Sequence, residues 1–346
     1  MLLRRKLNRK GVSLLSLNIV QILPMYHPDG DRRLQELANV KVFKEYEEQA
    51  IITYLKENVV DGIVLRAPAK ITAEILDNCH HVKAISGAGI GLDNIDLDYA
   101  TSKGIKVLHA PKLNSHATAE HAVALLLAVM KDISLFHIEM QKGNFSFRDG
   151  RYTTELRGKT LGLVGFGSIA QKVATILKNG FEMNVLAYVR TISPERQQLA
   201  DSLGVTVTTS IEEVFRKSDA ISLHIPLTEQ TRESIDQKLF AIMKPSAVLI
   251  NTARGGIINE ADLVSALKNK SFSRAGVDVF AVEPPADNHP FYEVDEITIT
   301  PHIGGISVEA AKKSSVTIAE NLIKAIEGEE LDVIANLNAL RKSVKS

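Results

Sequence analysis

The chain has 346 residues, longer than a single hydrophobic core usually supports, so two domains are expected. Its composition, 45% hydrophobic and 24% charged, excludes a disordered, collagenous or membrane-embedded protein. Lysine plus arginine balance aspartate plus glutamate at 41 each, so no overall positive field is expected to hold a nucleic-acid backbone.

The basic start, with Arg4, Arg5, Lys6, Arg9 and Lys10 ahead of an apolar stretch, superficially has the shape of a targeting leader. No small-residue cleavage site follows, and Leu17 to Leu23 reads as the continuation into a first strand, so these residues are taken as a solvated terminus. The longest uncharged apolar stretch, Ala122 to Met130, falls short of the roughly 20 residues a membrane span requires. Cys79 is the sole cysteine, which rules out an internal disulfide framework and fits a reducing, cytoplasmic setting.

Along the chain, short β-rich runs alternate with amphipathic helical stretches, the pattern of parallel sheets covered by helices on both faces. Strands are expected at Asn18 to Ile22, Gly62 to Leu65, Val82 to Ser86 and Lys106 to His109. A second series follows at Thr160 to Val164, Val185 to Tyr188, Val205 to Val207, Ala220 to Leu223, Ala247 to Asn251, Ala275 to Val279 and Ile297 to Ile299. Runs such as Ala247-Val248-Leu249-Ile250 lack alternation, as strands buried on both faces do. One long helix is expected from Ala117 to about Phe136 and another from Val308 to Glu327, both joining the domains; Gly143 to Arg157 reads as a loop, and the tail beyond Asn338 as solvated and frayed. The fold is thus α/β, with two doubly wound parallel-sheet domains. Residues 117–307 form a dinucleotide-binding domain inserted into a discontinuous substrate-binding domain made of residues 1–116 and 308–346.

The strand at Thr160 to Val164 runs directly into Gly165-Phe166-Gly167-Ser168-Ile169-Ala170 and then a helical run. This G-x-G-x-x-A turn is short of side chains where a pyrophosphate backbone must approach, and the helix N-terminus that follows favours the phosphates. An acidic residue about 20 positions on is expected to bind the adenosine ribose. Here the next strand ends Ala187-Tyr188-Val189-Arg190, with Thr191, Ser193 and Arg196 nearby. A cationic, hydroxyl-bearing loop suits a 2′-phosphate better than a free hydroxyl, so the reading leans to NADP(H) over NAD(H), with Arg190 as the contact.

Three charged residues fall just beyond later strands: Arg254, Glu283 and His302. A guanidinium forks onto a carboxylate and polarises the adjacent carbonyl, a histidine passes a proton to the carbonyl oxygen, and a carboxylate beside the histidine fixes its tautomer and stabilises the imidazolium. These are the groups that 2-keto acid reduction needs.

The chain resembles the D-isomer-specific 2-hydroxyacid dehydrogenases, the phosphoglycerate dehydrogenases in particular. The matching stretches are Val64-Leu65-Arg66-Ala67, Gly87 to Asp96, Ala119-Glu120-His121, Leu156 to Thr160, His224-Ile225-Pro226-Leu227-Thr228, Asn251 to Gly256 and Pro301 to Gly305. The resemblance implies Arg254 as substrate-orienting group, His302 as proton donor and Glu283 as its partner. It implies cofactor contacts at Ile90, Ser168, Ile169, Ile225, Thr252, Ala253, Asp278, His302, Gly304 and Gly305, and it implies a substrate carboxylate held near Ala88 and Gly89. It also implies a homodimer formed through the cofactor domain. Two departures stand out: Val189 occupies the position of the usual acidic residue, and Gly87 that of a basic residue frequent in phosphoglycerate dehydrogenases. Arg66 and Lys70 remain as candidates for a substrate phosphate, so both phosphohydroxypyruvate and the smaller glyoxylate or hydroxypyruvate stay open. The chain ends soon after its last helix, so no appended regulatory domain is expected.

Other groupings carry less. Asn78-Cys79-His80-His81 lacks the second ligand pair of a structural zinc site, so no metal is expected. Ser115, His116 and Thr118 lack a nucleophile elbow. A formate dehydrogenase would carry glutamine in place of Glu283. A dinucleotide-sensing corepressor of the C-terminal-binding type, which keeps the same triad, is the alternative from another functional class.

Overall fold

The structure is a computed structural model describing residues 17–87, 92, 94–109 and 113–343. The basic start and Ala88, Gly89 and Ile90, expected to meet substrate and cofactor, lie outside the described residues. The chain divides into two compact units, Met1–Asn114 with Ile306–Ser346, and Ser115–Gly305.

The first unit begins β1 (Asn18–Ile22), α1 (Pro28–Leu37), β2 (Asn39–Phe43), α2 (Glu48–Glu57), β3 (Gly62–Leu65), α3 (Ala73–Asp77), β4 (Ala84–Gly87), α4 (Leu97–Ser102) and β5 (Lys106–Leu108). Its five strands are parallel in the order β2-β1-β3-β4-β5, a flavodoxin-like sheet. Consecutive strand residues feed opposite cores: Val20, Ile63 and Ile85 pack with Ile51, Leu55 and Ile75 on one face, and Ile19, Val64 and Ala84 point to the other. Each fully buried side chain of this kind contributes roughly 1.5–3 kcal/mol. The sequence reading missed β2. It is an edge strand whose residues are at best half-buried, with Lys41 among its valines, so it lacks the apolar run that marked its neighbours.

The second unit opens with α5 (Ser115–Met130) and α6 (Ile133–Gln141). This corrects the single helix expected from Ala117 to Phe136. The helix breaks with a 61° bend, Asp132 takes a left-handed φ of 51°, and its carboxylate meets the Arg274 guanidinium at 2.7 Å. Among the described residues no single helix is long and apolar enough to cross a membrane. A polar segment containing one 3-10 turn (Phe145–Arg148) leads on to β6 (Thr160–Val164), α7 (Ser168–Phe181), β7 (Asn184–Tyr188), α8 (Pro194–Leu203), β8 (Thr206–Thr208), α9 (Ile211–Lys217) and β9 (Ala220–Leu223). Then come α10 (Gln237–Phe240), β10 (Val248–Asn251), α11 (Glu260–Lys268), β11 (Arg274–Val277) and β12 (Ile297–Ile299). All seven strands are parallel, in the order β12-β11-β10-β9-β6-β7-β8. α5 and α7 cover one face over Leu161, Leu163 and Ile250; Phe215, Phe240 and Phe272 fill the other beneath Val164, Ile221 and Leu249.

The chain then returns to the first unit as α12 (Val308–Ile326), whose Ile318, Leu322 and Ile326 join Ile19, Val64 and Leu34 in one core. The tail expected to fray instead forms α13 (Leu337–Ser343), preceded by Asn336, whose amide nitrogen donates to the Ile105 carbonyl and the Thr101 hydroxyl.

Strand order reverses between β6 and β9, which opens a crevice at their carboxyl ends. His224 stands on its β9 side, with a ring nitrogen 2.9 Å from the Ser222 hydroxyl, and burial pushes its imidazole down from 6.5 to about 4. Between those two values the unfolded chain takes up a proton that the folded chain refuses, so stability falls as pH drops through this window, by up to about 3 kcal/mol. A His224→Gln variant should lose that slope in chemical denaturation between pH 6.5 and 4; an unchanged slope would contradict neutral burial.

Candidate active site

The glycine turn lies at the reversal point. Gly165 has φ 101°, and a Cβ there would come within 2.6 Å of the His224 carbonyl oxygen, so only glycine lets β6 turn this tightly beside β9. Gly167 sits at the N-cap of α7 with nothing within 4 Å of a built Cβ, so its backbone borders open space at a helix N-terminus. Ser168 is the first residue of α7, its hydroxyl 3.4 Å from that of Ser115; Ile169 is partly buried against the core, and Ala170 is fully buried where the helix meets the sheet. Beyond β7, Val189 is buried and Arg190 is exposed. Arg196 donates to the Thr191 carbonyl, and Ser193 caps α8, so the loop around Arg190 has a defined shape.

The next strands deliver the charged residues. After β10, the buried Asn251 side chain accepts from the Ala253 amide at 3.0 Å and donates to the Arg254 carbonyl at 2.9 Å, folding the 251–254 loop around itself. Arg254 is half-buried, with one Nη on the Ala253 carbonyl at 2.7 Å. Gly255 follows where the chain passes directly against the backbone of Phe280: a Cβ would lie 1.9 Å from the Phe280 carbonyl carbon, so a side chain here would force the loops after β10 and β11 apart. The Thr252 hydroxyl is buried with no hydrogen-bond partner among the described residues, while Ile225 and Ala253 pack partly buried against the core. An open helix N-terminus, a turn with glycine at 165 and 167 and an unsatisfied buried hydroxyl along the same strand ends fit a dinucleotide.

Glu283 and His302 meet beyond β11 and β12. Glu283 Oε2 is 2.6 Å from His302 Nδ1, and Oε1 accepts from the Phe280 amide at 3.0 Å. Burial works to raise the Glu283 carboxyl, but the hydrogen bonds from His302 and Phe280 and the charges of His302 and Arg254 outweigh it, leaving it below the usual carboxylate range. The Glu283 loop is braced by Glu260, which accepts from the Ala281 amide at 2.8 Å and lies 3.3 Å from His289 Nε2. The structure thus gathers Arg254, Glu283 and His302 at neighbouring strand ends.

Asp278 is 1% exposed and spends its carboxylate inside the protein, accepting from the Thr300 hydroxyl at 2.6 Å, the Ile303 amide at 3.0 Å and the Gly304 amide at 2.9 Å. His121 Nε2 lies 3.3 Å from the same carboxylate and 3.1 Å from the Thr300 hydroxyl. His121, Asn251 and Glu260 were not singled out from the sequence as site residues. His121 and Asn251 lay in stretches already noted as matching the family, and His121 also stands in the apolar run of α5, but neither signal assigned them a role.

In the first unit, Arg66 donates from Nε to the Pro24 carbonyl and from Nη1 to the Ala67 carbonyl at 2.9 Å, and its guanidinium lies 5.4 Å from the Tyr26 ring centre, so much of its hydrogen-bonding capacity shapes its own loop. Cys79 is buried, donates to the Ile75 carbonyl, and has its thiol pushed up to about 12 by burial. His116 lies 2.8 Å from Lys172 Nζ.

Residues 123–304 match the model of the D-isomer specific 2-hydroxyacid dehydrogenase NAD-binding domain. The chain is 36% identical over 311 residues to a D-3-phosphoglycerate dehydrogenase of Methanocaldococcus jannaschii, an alignment covering 90% of this chain and 58% of that one. It therefore spans little more than half the length of such relatives. It is 38% identical to a hydroxypyruvate reductase of Thermotoga maritima, over 77% of this chain and 85% of that protein. The crystal structure of the TT0316 protein from Thermus thermophilus superposes with a TM-score of 0.83 at 30% identity, covering 92% of this chain and 100% of that one. With its sheets, its glycine turn and its strand-end residues in place, the chain belongs to the D-isomer-specific 2-hydroxyacid dehydrogenase family and carries that family's nicotinamide-dinucleotide-binding domain.

Proposed function

We propose that the protein interconverts a small 2-keto acid and its D-2-hydroxy acid, with Arg254, Glu283 and His302 as the working side chains. The observation that carries this reading is the 2.6 Å contact of Glu283 with His302 Nδ1 beside the Arg254 loop. A bound nicotinamide dinucleotide supplies or accepts the hydride at C2. Arg254 pairs with the substrate carboxylate and draws electron density from the adjacent carbonyl. Because Glu283 engages Nδ1, His302 uses Nε2 to hand a proton to the carbonyl oxygen, and the neighbouring carboxylate stabilises the ring while it is charged. In the oxidative direction His302 takes the hydroxyl proton back. The backbone around Ala88 and Gly89 and the Arg66 side chain are the proposed further substrate contacts. Ile90, Gly165, Gly167, Ser168, Ile169, Ile225, Thr252, Ala253, Asp278, Gly304 and Gly305 are the proposed cofactor contacts.

Phosphohydroxypyruvate, paired with 3-phosphoglycerate, and the smaller keto acids glyoxylate and hydroxypyruvate are the leading substrates. Relatives bearing both kinds of name support keeping the two. NADP(H) is the proposed preference, because a buried Val189 offers no carboxylate to a ribose hydroxyl while Arg190 is exposed at the end of the same strand. The unit that carries the glycine turn also bears an apolar surface at α6, which has no buried residue and exposes Ile133, Ile138 and Met140, and this supports a homodimer formed through that unit.

Steady-state reduction of glyoxylate, hydroxypyruvate, phosphohydroxypyruvate, pyruvate and 2-ketoglutarate, each with NADH and NADPH, tests the activity. His302→Ala and Arg254→Ala should each lower kcat/KM on the accepted acid by at least about 10²-fold, and retention of activity in either would overturn its assigned role. Arg190→Ala should weaken NADPH by about 10- to 100-fold and leave NADH nearly unchanged; equal losses for both would end the cofactor preference. Sedimentation should give the mass of two chains, reduced to one by Ile138→Glu, and a single-chain mass for the unaltered protein would refute the dimer.

A further inference from the structure

The residue that offers the proton sits in a backbone conformation that needs support. His302 has φ 53°, a left-handed geometry that a residue with a side chain holds only where its surroundings determine it. Those surroundings converge on Asp278: its carbonyl accepts from the His302 amide at 2.8 Å, and its carboxylate takes the Thr300 hydroxyl and the amides of Ile303 and Gly304. One anion thus binds the turn on both sides of His302. It is almost wholly buried, and a buried carboxylate stays ionised only with compensating charge or hydrogen bonds. Burial works to raise its carboxyl, and His121, Thr300, Gly304 and Ile303 together bring it below the usual range.

Of these partners only His121 has a side chain able to carry positive charge. It reaches the carboxylate from α5, 179 residues before Thr300 in the chain, with Nε2 placed between Asp278 Oδ1 at 3.3 Å and Thr300 Oγ1 at 3.1 Å. Resting on the reading of His302 as proton donor, we propose that His121 is a positioning residue for the reaction: through Asp278 and Thr300 it locks the 300–304 turn that aims the His302 imidazole. Among the described residues no hydrogen bond or ion pair joins it to Glu283. Its effect is on the orientation of the proton donor.

The test compares His121→Ala and His121→Gln with the unaltered enzyme. Both are assayed for kcat, for KM of the accepted keto acid and for dinucleotide affinity by fluorescence, alongside amide hydrogen exchange across residues 300–304. Misplacing the imidazole by about 1 Å should lower kcat in His121→Ala on the order of 10²-fold, with KM of the keto acid held within about twofold. Glutamine presents an N–H donor to the same oxygens and should restore most of the rate. Exchange at Ile303 and Gly304 should quicken in the alanine variant and slow again in the glutamine variant. An unchanged kcat in His121→Ala, a loss confined to KM, or a glutamine variant as impaired as alanine overturns the inference. If the alanine variant does not fold, the glutamine variant decides through its rate and its exchange at the turn. Should the unaltered protein reduce no keto acid with either nucleotide, the functional reading falls by itself; unchanged exchange at residues 303 and 304 in the variants would separately refute the His121 clamp.

Discussion

Parallel pairing sets successive strand ends about 4.8 Å apart along one edge of a sheet, and the candidate chemistry of the second unit hangs from that edge. β10, β11 and β12 are neighbours in space as well as in sequence, so the loops that follow them are pressed together rather than gathered from distant surfaces. Gly255 lets the first two loops pass backbone against backbone, and the third brings His302 to within 2.6 Å of Glu283. The glycine turn at Gly165 belongs to the same edge, at the place where strand order reverses. A hydride donor and a proton donor must act on adjacent atoms, and the pitch of a parallel sheet supplies that spacing without long loops.

The same edge shows how environment divides labour between like groups. Asp278 and Glu283 are both held below the usual carboxylate range against the effect of burial. Asp278 meets backbone amides, a hydroxyl and His121 and has no exposure left, whereas the Glu283 side chain is 32% exposed and faces an imidazole. The first holds a turn and the second is paired with a histidine ring. The histidines divide in the same way: His224 is kept neutral by burial beside the glycine turn, and His302 stands 44% exposed with an anion behind it.

Five strands, β1, β3, β6, β9 and β12, were legible to the residue because each is a short run rich in apolar and β-branched residues that is closed by a turn or loop. The glycine turn was legible because its three small positions answer to local geometry. What escaped depends on partners far away in sequence. β2 owes its place to pairing with β1 rather than to its own composition. The break after Met130 needs Arg274, and nothing near Asp132 announces that ion pair. α13 follows an asparagine whose bonds reach back to residues 101 and 105. Asp278 was named only through the family resemblance, as a cofactor contact, and the bonds of its carboxylate to residues 300–304 join it to partners that the sequence alone did not place beside it.

The interruption of the first unit by the second has a consequence for biogenesis. On a ribosome, β1 to β5 emerge early, with Ile19, Val64, Ala84 and Leu108 on a face that α12 will eventually cover. The whole of Ser115–Gly305 must be synthesised before that cover exists, so the inserted unit can reach its own core while its host still has a bare flank. During that interval the nascent first half carries the greater exposure to aggregation and to chaperones, and removal of the stretch from Val308 onward would leave it there permanently.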